Sequence, residues 1–260
     1  MSKLVMVCSY KGGVGKTTLS AALAHVAALN ENRVIAVDLD LEFGGLDIAL
    51  GAENAVGGSF LDLLGTDASL DKLLLPCQPH NLKLMAAPMA VPRQIGDVDP
   101  AQVEKALCLL KARADLVVMD MPAGGGPLFE KLATSPALDE ILLVSTDAPT
   151  SLRSAEKCGV RLGHISGKPV RLCVNTYYVD APRSNQAGLF SILNTVCLPA
   201  IGVIPFDPAV AASLSRGEPI TAVENSPAGI AVENIFYRLA GEQVPLLDGI
   251  VTKRKRKKLY

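Results

Sequence analysis

Tryptophan is absent, and aromatic residues make up only 4% of the 260 positions. A surface that stacks unpaired bases needs exposed rings, so a general nucleic-acid groove is not expected. The six cysteines, Cys8, Cys77, Cys108, Cys158, Cys173 and Cys197, are dispersed. None forms a C-x-x-C pair or stands at metal-ligand spacing from His25, His80 or His164. A metal centre built on paired cysteines is therefore disfavoured, and most of these thiols are expected in strands and helices of the core. One cysteine per subunit meeting its copy at a two-fold axis stays open. His25 has no second ligand one helical turn on, so it is expected to pack rather than ligate.

No apolar run approaches the roughly eighteen residues of a membrane span. The hydrophobic stretch after Lys3 runs only from Leu4 to Cys8, short of a signal-peptide core. A cytoplasmic chain is expected, with peripheral attachment at the inner face of the membrane left open.

What the chain has in quantity is apolar surface: 49% of its residues are hydrophobic, enough for one α/β domain with an ample core. Formal net charge is −1, yet Lys253 to Lys258 are all basic and take six of the 25 Lys and Arg residues. The body is consequently acidic by about seven charges. We divide the chain into a domain over 1–244 and a basic C-terminal tail over 245–260. Six cations support adsorption to an anionic bilayer, at about 1 kcal/mol each near the surface, or contact with DNA phosphates; a merely solvated tail is equally compatible.

The sequence is organised around Lys11-Gly12-Gly13-Val14-Gly15-Lys16-Thr17-Thr18, which follows the apolar run Leu4–Cys8 and precedes a helical pattern from about Leu19 to Asn30. Three glycines let the backbone approach an anion, and the free N–H groups at the next helix start complete a phosphate nest. Lys16 is then in reach of β- and γ-phosphates, and the Thr17 hydroxyl is placed to ligate Mg²⁺.

Further apolar runs end in polar groups. Val34–Val37 leads into Asp38-Leu39-Asp40, setting carboxylates where the carboxyl edge of a parallel sheet holds ligand. Leu116–Met119 leads into Asp120, a Walker B pattern that holds magnesium, with Gly124 beyond it placed to give an amide to a γ-phosphate. Val170–Val174 ends at Asn175, whose amide offers donor and acceptor to an adenine edge. Strands are also expected at 82–86, 141–145 and 201–205. Helices are expected at 60–64, at 69–75, from Pro100 to about Arg113 behind an Asp99 N-cap, and from Ser226-Pro227 to near Gly241. Asp207 is read as an N-cap with Pro208 in the first turn.

The common phosphate-loop pattern has glycine where this chain has Tyr10, followed by a second lysine, Lys11. That departure resembles the deviant Walker A loop of the MinD/ParA family. The resemblance extends in blocks over about residues 3 to 240, through Asp38-x-Asp40, Asp120-x-Pro122-Ala123-Gly124, the Pro149 to Arg153 segment and Ile204-Pro205-x-Asp207. It implies a doubly wound, mostly parallel sheet flanked by helices on both faces, an ATP and Mg²⁺ site, and a homodimer when ATP is bound. It also implies that Lys11 reaches the partner's nucleotide, that Asp38 organises the metal region and that Asp40 positions the attacking water. Asn175, Pro205 and Asp207 would lie at the adenine. A protein activator and a role in spatial positioning follow from the same resemblance: division site, flagellar or polar machinery, or DNA segregation. Metallocentre-maturation ATPases of the nickel-insertion or nitrogenase iron-protein type and dethiobiotin-synthetase-like ligases remain alternatives, although Lys11 speaks against the last. Arg153 reads equally as a solvated helix residue.

Overall fold

Apolar runs without alternation imply strands covered on both faces, and the computed structural model bears this out. It describes residues 2–53, 55–65, 69–89, 98–179 and 188–251. The basic run Lys253–Lys258 lies outside the described residues.

Among the described residues the strands are β1 (Lys3–Ser9), β2 (Val34–Asp38), β3 (Leu75–Pro76), β4 (Leu82–Met85), β5 (Leu116–Ala123), β6 (Glu140–Ser145), β7 (Val170–Tyr177) and β8 (Ala200–Pro205). They form one sheet in the order β3-β4-β2-β5-β1-β6-β7-β8. Pairing is parallel throughout except at the edge, where β3 runs antiparallel to β4. The helices are α1 (Lys16–Leu29), α2 (Leu46–Ala49), α3 (Phe60–Gly65), α4 (Leu70–Leu73), α5 (Pro100–Arg113), α6 (Pro127–Thr134), α7 (Pro149–Ile165), α8 (Leu189–Val196), α9 (Ala209–Leu214) and α10 (Pro227–Leu239).

Side chains of β1 divide between two cores by the two-residue period of a strand. Leu4, Met6 and Cys8 join residues of α5, α6, α7 and α8 on one face. Val5 and Val7 join α1 and α10 on the other. This doubly covered parallel sheet is the one the resemblance implied. Helix α1 is buried over nearly its whole circumference, from Leu19 to Ala28. Its alanines let it sit between the sheet and α10 at close range.

Several boundaries differ from the sequence expectations, among them β7, which runs past Asn175 to Tyr177. Helix α1 starts at Lys16, not near Leu19, because Gly15 takes a left-handed φ of 91° and the turn begins in polar residues that carry no apolar period. The helix expected over 69–75 stops at Leu73, since Leu75 and Pro76 pair with Leu84 and Lys83. Strand β5 continues past Asp120 to Ala123, where sequence reading placed a loop. Helix α9 begins one residue late, with Pro208 at the N-cap and the Asp207 carboxylate accepting from Ala209 N at 2.9 Å. The Asp99 and Ser226 caps stand as expected, accepting from Ala101 N and Gly229 N.

Of the segment set apart as 245–260, the described part packs on the domain. Leu247 is buried, Ile250 and Val251 lie against the core, and Asn234 Nδ2 donates to Asp248 O. Four cysteines are buried, while Cys108 and Cys197 are exposed. His25 is buried with Nδ1 2.8 Å from Thr221 Oγ1, and burial lowers its pKa.

Candidate nucleotide site

Strand β1 is the central strand at the site, paired on one side with β5 and on the other with β6, and its carboxyl end releases the glycine loop. Gly13 and Gly15 both have positive φ, 73° and 91°, which turns the chain from strand into α1. The first intrahelical bond at this end is Leu19 N to Gly15 O, so the N–H groups of Lys16, Thr17 and Thr18 precede it as an anion-binding helix start. Lys16 is 8% exposed and makes no hydrogen bond or ion pair with any described residue. A largely enclosed lysine that bonds to no described acceptor, beside the free N–H groups of a helix start, marks a place suited to an anion.

Asp38, the last residue of β2, and Asp120, inside β5, meet beside this loop. Asp38 and Asp120 are register partners in the β2–β5 ladder, and both are 1% exposed. Asp120 Oδ2 accepts from Thr17 Oγ1 at 2.6 Å and Oδ1 accepts from Ser20 Oγ at 2.9 Å. Asp38 accepts from the N–H groups of Asp40 and Leu46, each at 3.0 Å. Burial pushes Asp38 up to about 7, helped by the Asp120 charge, while the backbone donors oppose it. Burial likewise pushes Asp120 up to about 6 against the hydroxyl donors and the nearby Lys16 charge. Two crowded, desolvated carboxylates next to a hydroxyl suit a divalent cation.

Among the described residues no group of three or more His, Cys, Asp or Glu is placed to hold a metal ion. Magnesium commonly takes only one or two protein oxygens and completes its shell with phosphate and water. Thr17, Asp38 and Asp120 are the residues that could hold it.

Asp40 sits one turn further out, half-buried, accepting from Phe43 N at 3.3 Å. It borders a cavity of about 400 Å³ between the 39–43 loop and the segment from Met121 to Phe129. Gly124 has a φ of 90°, and its N–H donates to Ser9 O at 3.0 Å. The amide nominated for a γ-phosphate is thus engaged in extending the β1–β5 ladder, and phosphate contact requires that bond to open. Lys11 does not point at the chain's own phosphate nest: its Nζ donates to Thr150 Oγ1 at 2.7 Å, at the start of α7. Arg153, further along α7, is exposed.

A second cavity, of about 390 Å³, opens on the other side of the loop. It is bounded by Gly13 to Gly15, Thr18, Asn175 and the Pro205–Asp207 turn, over an apolar floor that includes Leu19 and Val232. Asn175 is turned toward the loop by an irregularity in the β7–β8 register, where Thr176 takes a φ of 54°. Its Nδ2 donates to Val14 O at 2.8 Å and its Oδ1 accepts from Thr176 N at 2.9 Å, so the amide braces the loop, with one hydrogen and one lone pair left for a base. A Cβ at Gly15 would stand 2.2 Å from Asn175 Nδ2. Asp207 is half-buried, with its oxygens taken by Ala209 N and Ser226 Oγ; burial pushes its pKa up, but those donors together outweigh it and hold the pKa down. It shapes the turn and does not offer a free carboxylate.

Sequence reading missed Ser20 and Thr150. Ser20 lies three residues after Thr17, on the same helix face, which was the available signal. Thr150 gave none, because its contact spans 139 residues.

A parallel sheet whose central strand feeds a glycine loop, with aspartates of β2 and β5 beside the following helix, defines a P-loop nucleotide-binding protein. Comparison with known proteins narrows the class. A family profile described as the CobQ/CobB/MinD/ParA nucleotide binding domain matches residues 5–220, and the chain belongs to this MinD/ParA family. It is 32% identical over 251 residues to a septum site-determining protein MinD of Synechocystis, covering 95% of this chain and 93% of that protein. The MinD cell division protein of Aquifex aeolicus superposes with a TM-score of 0.82 at 28% identity, covering 94% and 99% of the two chains. MinD in the MinC:MinD cell division complex of the same organism gives 0.83 at 27% identity, covering 94% and 98%.

Proposed function

We propose that the chain is a Mg-ATP-dependent dimerising switch that hydrolyses ATP to control its association with a partner. Lys16, which bonds to no described residue, beside the Thr17–Asp120 bond carries this reading, because together they suit a polyphosphate and its divalent cation in one place. The loop from Gly12 to Thr18 grips the phosphates, and magnesium supplies the charge neutralisation that phosphoryl transfer needs. Thr17, Asp38 and Asp120 hold that ion, Asp40 orients the attacking water, and Gly124 senses the terminal phosphate. Asn175, Pro205 and Asp207 frame the base. Lys11 leaves Thr150 to reach the nucleotide of a second copy, making a homodimer in the ATP state. Hydrolysis is slow until a protein activator binds.

The relatives' names support a cell-division positioning role, and the MinC:MinD complex supports a protein partner. Among the described residues no helix is long and apolar enough to cross a membrane. Peripheral attachment from the cytoplasm to an anionic membrane through Lys253–Lys258 is part of the proposal, with DNA as the other surface those charges suit. Calorimetry with Mg-ATP, paired with light scattering, tests the core of it: the wild type should bind and dimerise, and Lys16→Ala should lose binding by more than about 100-fold. A folded wild type that takes up no nucleoside triphosphate would refute the reading.

A further inference from the structure

Tyr10 stands where the common phosphate-loop pattern has glycine, and its ring bears on the segment proposed to sense the terminal phosphate. It leaves β1 directly before Lys11, half-buried and packed against the core on the face that holds α6. The ring centroid lies 6.0 Å from that of Phe129 in α6, with the planes 58° apart, a tilted aromatic pair. A Cβ on Gly125 would meet Tyr10 Cε1 at 3.5 Å and the Tyr10 hydroxyl oxygen at 3.6 Å. The ring therefore also lies along the bare backbone of the glycine next to Gly124.

A backbone bond joins the same two segments. Gly124 N donates to Ser9 O at 3.0 Å, one residue before Tyr10. Gly125, Gly126 and Phe129 line the cavity of about 400 Å³ that Asp40 borders, whereas Tyr10 does not. The Gly124–Gly126 segment thus has an aromatic ring on one side and open volume on the other. A shift toward Asp40 finds room, and what it gives up is the ring contact and the Ser9 bond. Glycine at position 10 would supply only the bond.

We propose that Tyr10 is a positioning residue that holds the Gly124–Gly126 segment in its ladder-bonded place, so that engaging a terminal phosphate must first part this segment from the ring. The inference rests on the nucleotide reading above and deepens it: the ring sets a cost that ATP meets and ADP does not, and so lowers this chain's preference for the triphosphate. Contacts of this kind amount to roughly 3- to 12-fold in an equilibrium constant.

The test titrates the full chain calorimetrically with Mg-ADP and with Mg-AMPPNP, a triphosphate that is not hydrolysed, at protein concentrations that light scattering shows to be monomeric. Its readout is the ratio of the two affinities. In Tyr10→Gly and Tyr10→Ala the ratio should shift toward AMPPNP by roughly 3- to 12-fold, and in Tyr10→Phe, which keeps the ring, it should stay within about twofold. Added loop flexibility acts on both nucleotides and cancels in the ratio, and retained ADP binding shows that each variant is folded at the loop. Amide exchange of Gly124 in the nucleotide-free chain gives a second reading: it should quicken by a similar factor in Tyr10→Gly and Tyr10→Ala and hold its rate in Tyr10→Phe. A wild-type ratio in Tyr10→Gly and Tyr10→Ala, a shift toward ADP, or unaltered Gly124 exchange would overturn the positioning role. Wild-type binding of neither nucleotide would instead bring down the nucleotide reading, and this inference with it.

Discussion

The Nζ of Lys11 donates to Thr150 Oγ1 at 2.7 Å, tying the phosphate loop to the first turn of α7. The lysine proposed to reach a second subunit is held within its own. For an exposed hydrogen bond, where water competes for both groups, the net stabilisation is at most about 1 kcal/mol, small enough for dimer contacts to displace.

Removing each end of that bond should have opposite effects. Lys11→Ala is expected to keep nucleotide binding and lose ATP-dependent dimerisation. Thr150→Ala frees the lysine and should shift the dimer midpoint to a several-fold lower protein concentration. Light scattering at graded concentrations reads both. A Lys11→Ala dimer fraction equal to the wild type would contradict the trans role.

Asp38 and Asp120 give the metal-free protein a definite pH dependence. Their folded pKa values, about 7 and about 6, lie above the ordinary aspartate value near 3.9, so the folded chain binds more protons than the unfolded chain across that window. Stability should therefore fall as pH rises from about 4 through 7. Between pH 5.5 and 8 the loss from the two groups should be on the order of 3 kcal/mol, and Asp38→Asn should remove the larger part of it. Urea unfolding without magnesium at the two pH values checks the sign; a rise in stability toward pH 8 would contradict it.

Asp40 is near enough for its charge to act on Asp38 and Asp120, yet its own side chain is committed only to the Phe43 turn. Asp40→Ala should leave binding intact, cut turnover by about 100-fold or more and accumulate an ATP-bound dimer. Wild-type phosphate release in this variant would remove Asp40 from the chemistry.

The tail prediction turns on charge. Deleting residues 253–260 should abolish ATP-dependent sedimentation with anionic liposomes and weaken any DNA retention, with steep salt dependence in the intact chain. Binding that survives the deletion unchanged would assign the contact to another surface.

The sheet was legible because parallel strands buried on both faces leave continuous apolar runs, and Asp38 and Asp120 were legible because the runs in β2 and β5 are broken at them. Lys16 and Thr17 were legible from the spacing of the glycines. The internal bonds of Gly124, Asn175 and Asp207 were not. Each residue type was chosen for what it can offer a ligand, while its partner in the free chain is fixed by backbone register: Ser9 across from Ala123, Val14 beside the β7 irregularity, Ser226 at the foot of α10. Periodicity also gave no warning that the edge would turn back at Leu75, since two residues carry no pattern.

Strand β1, with neighbours bonded along both edges, cannot shift without tearing two ladders at once. The glycine loop is thereby anchored to an interior strand, and any displacement during a nucleotide cycle is expected in the loops after β2 and β5 and not in the ladder itself. Amide exchange in the ATP and ADP states should differ at residues 39–45 and 122–126 while β1 stays protected in both.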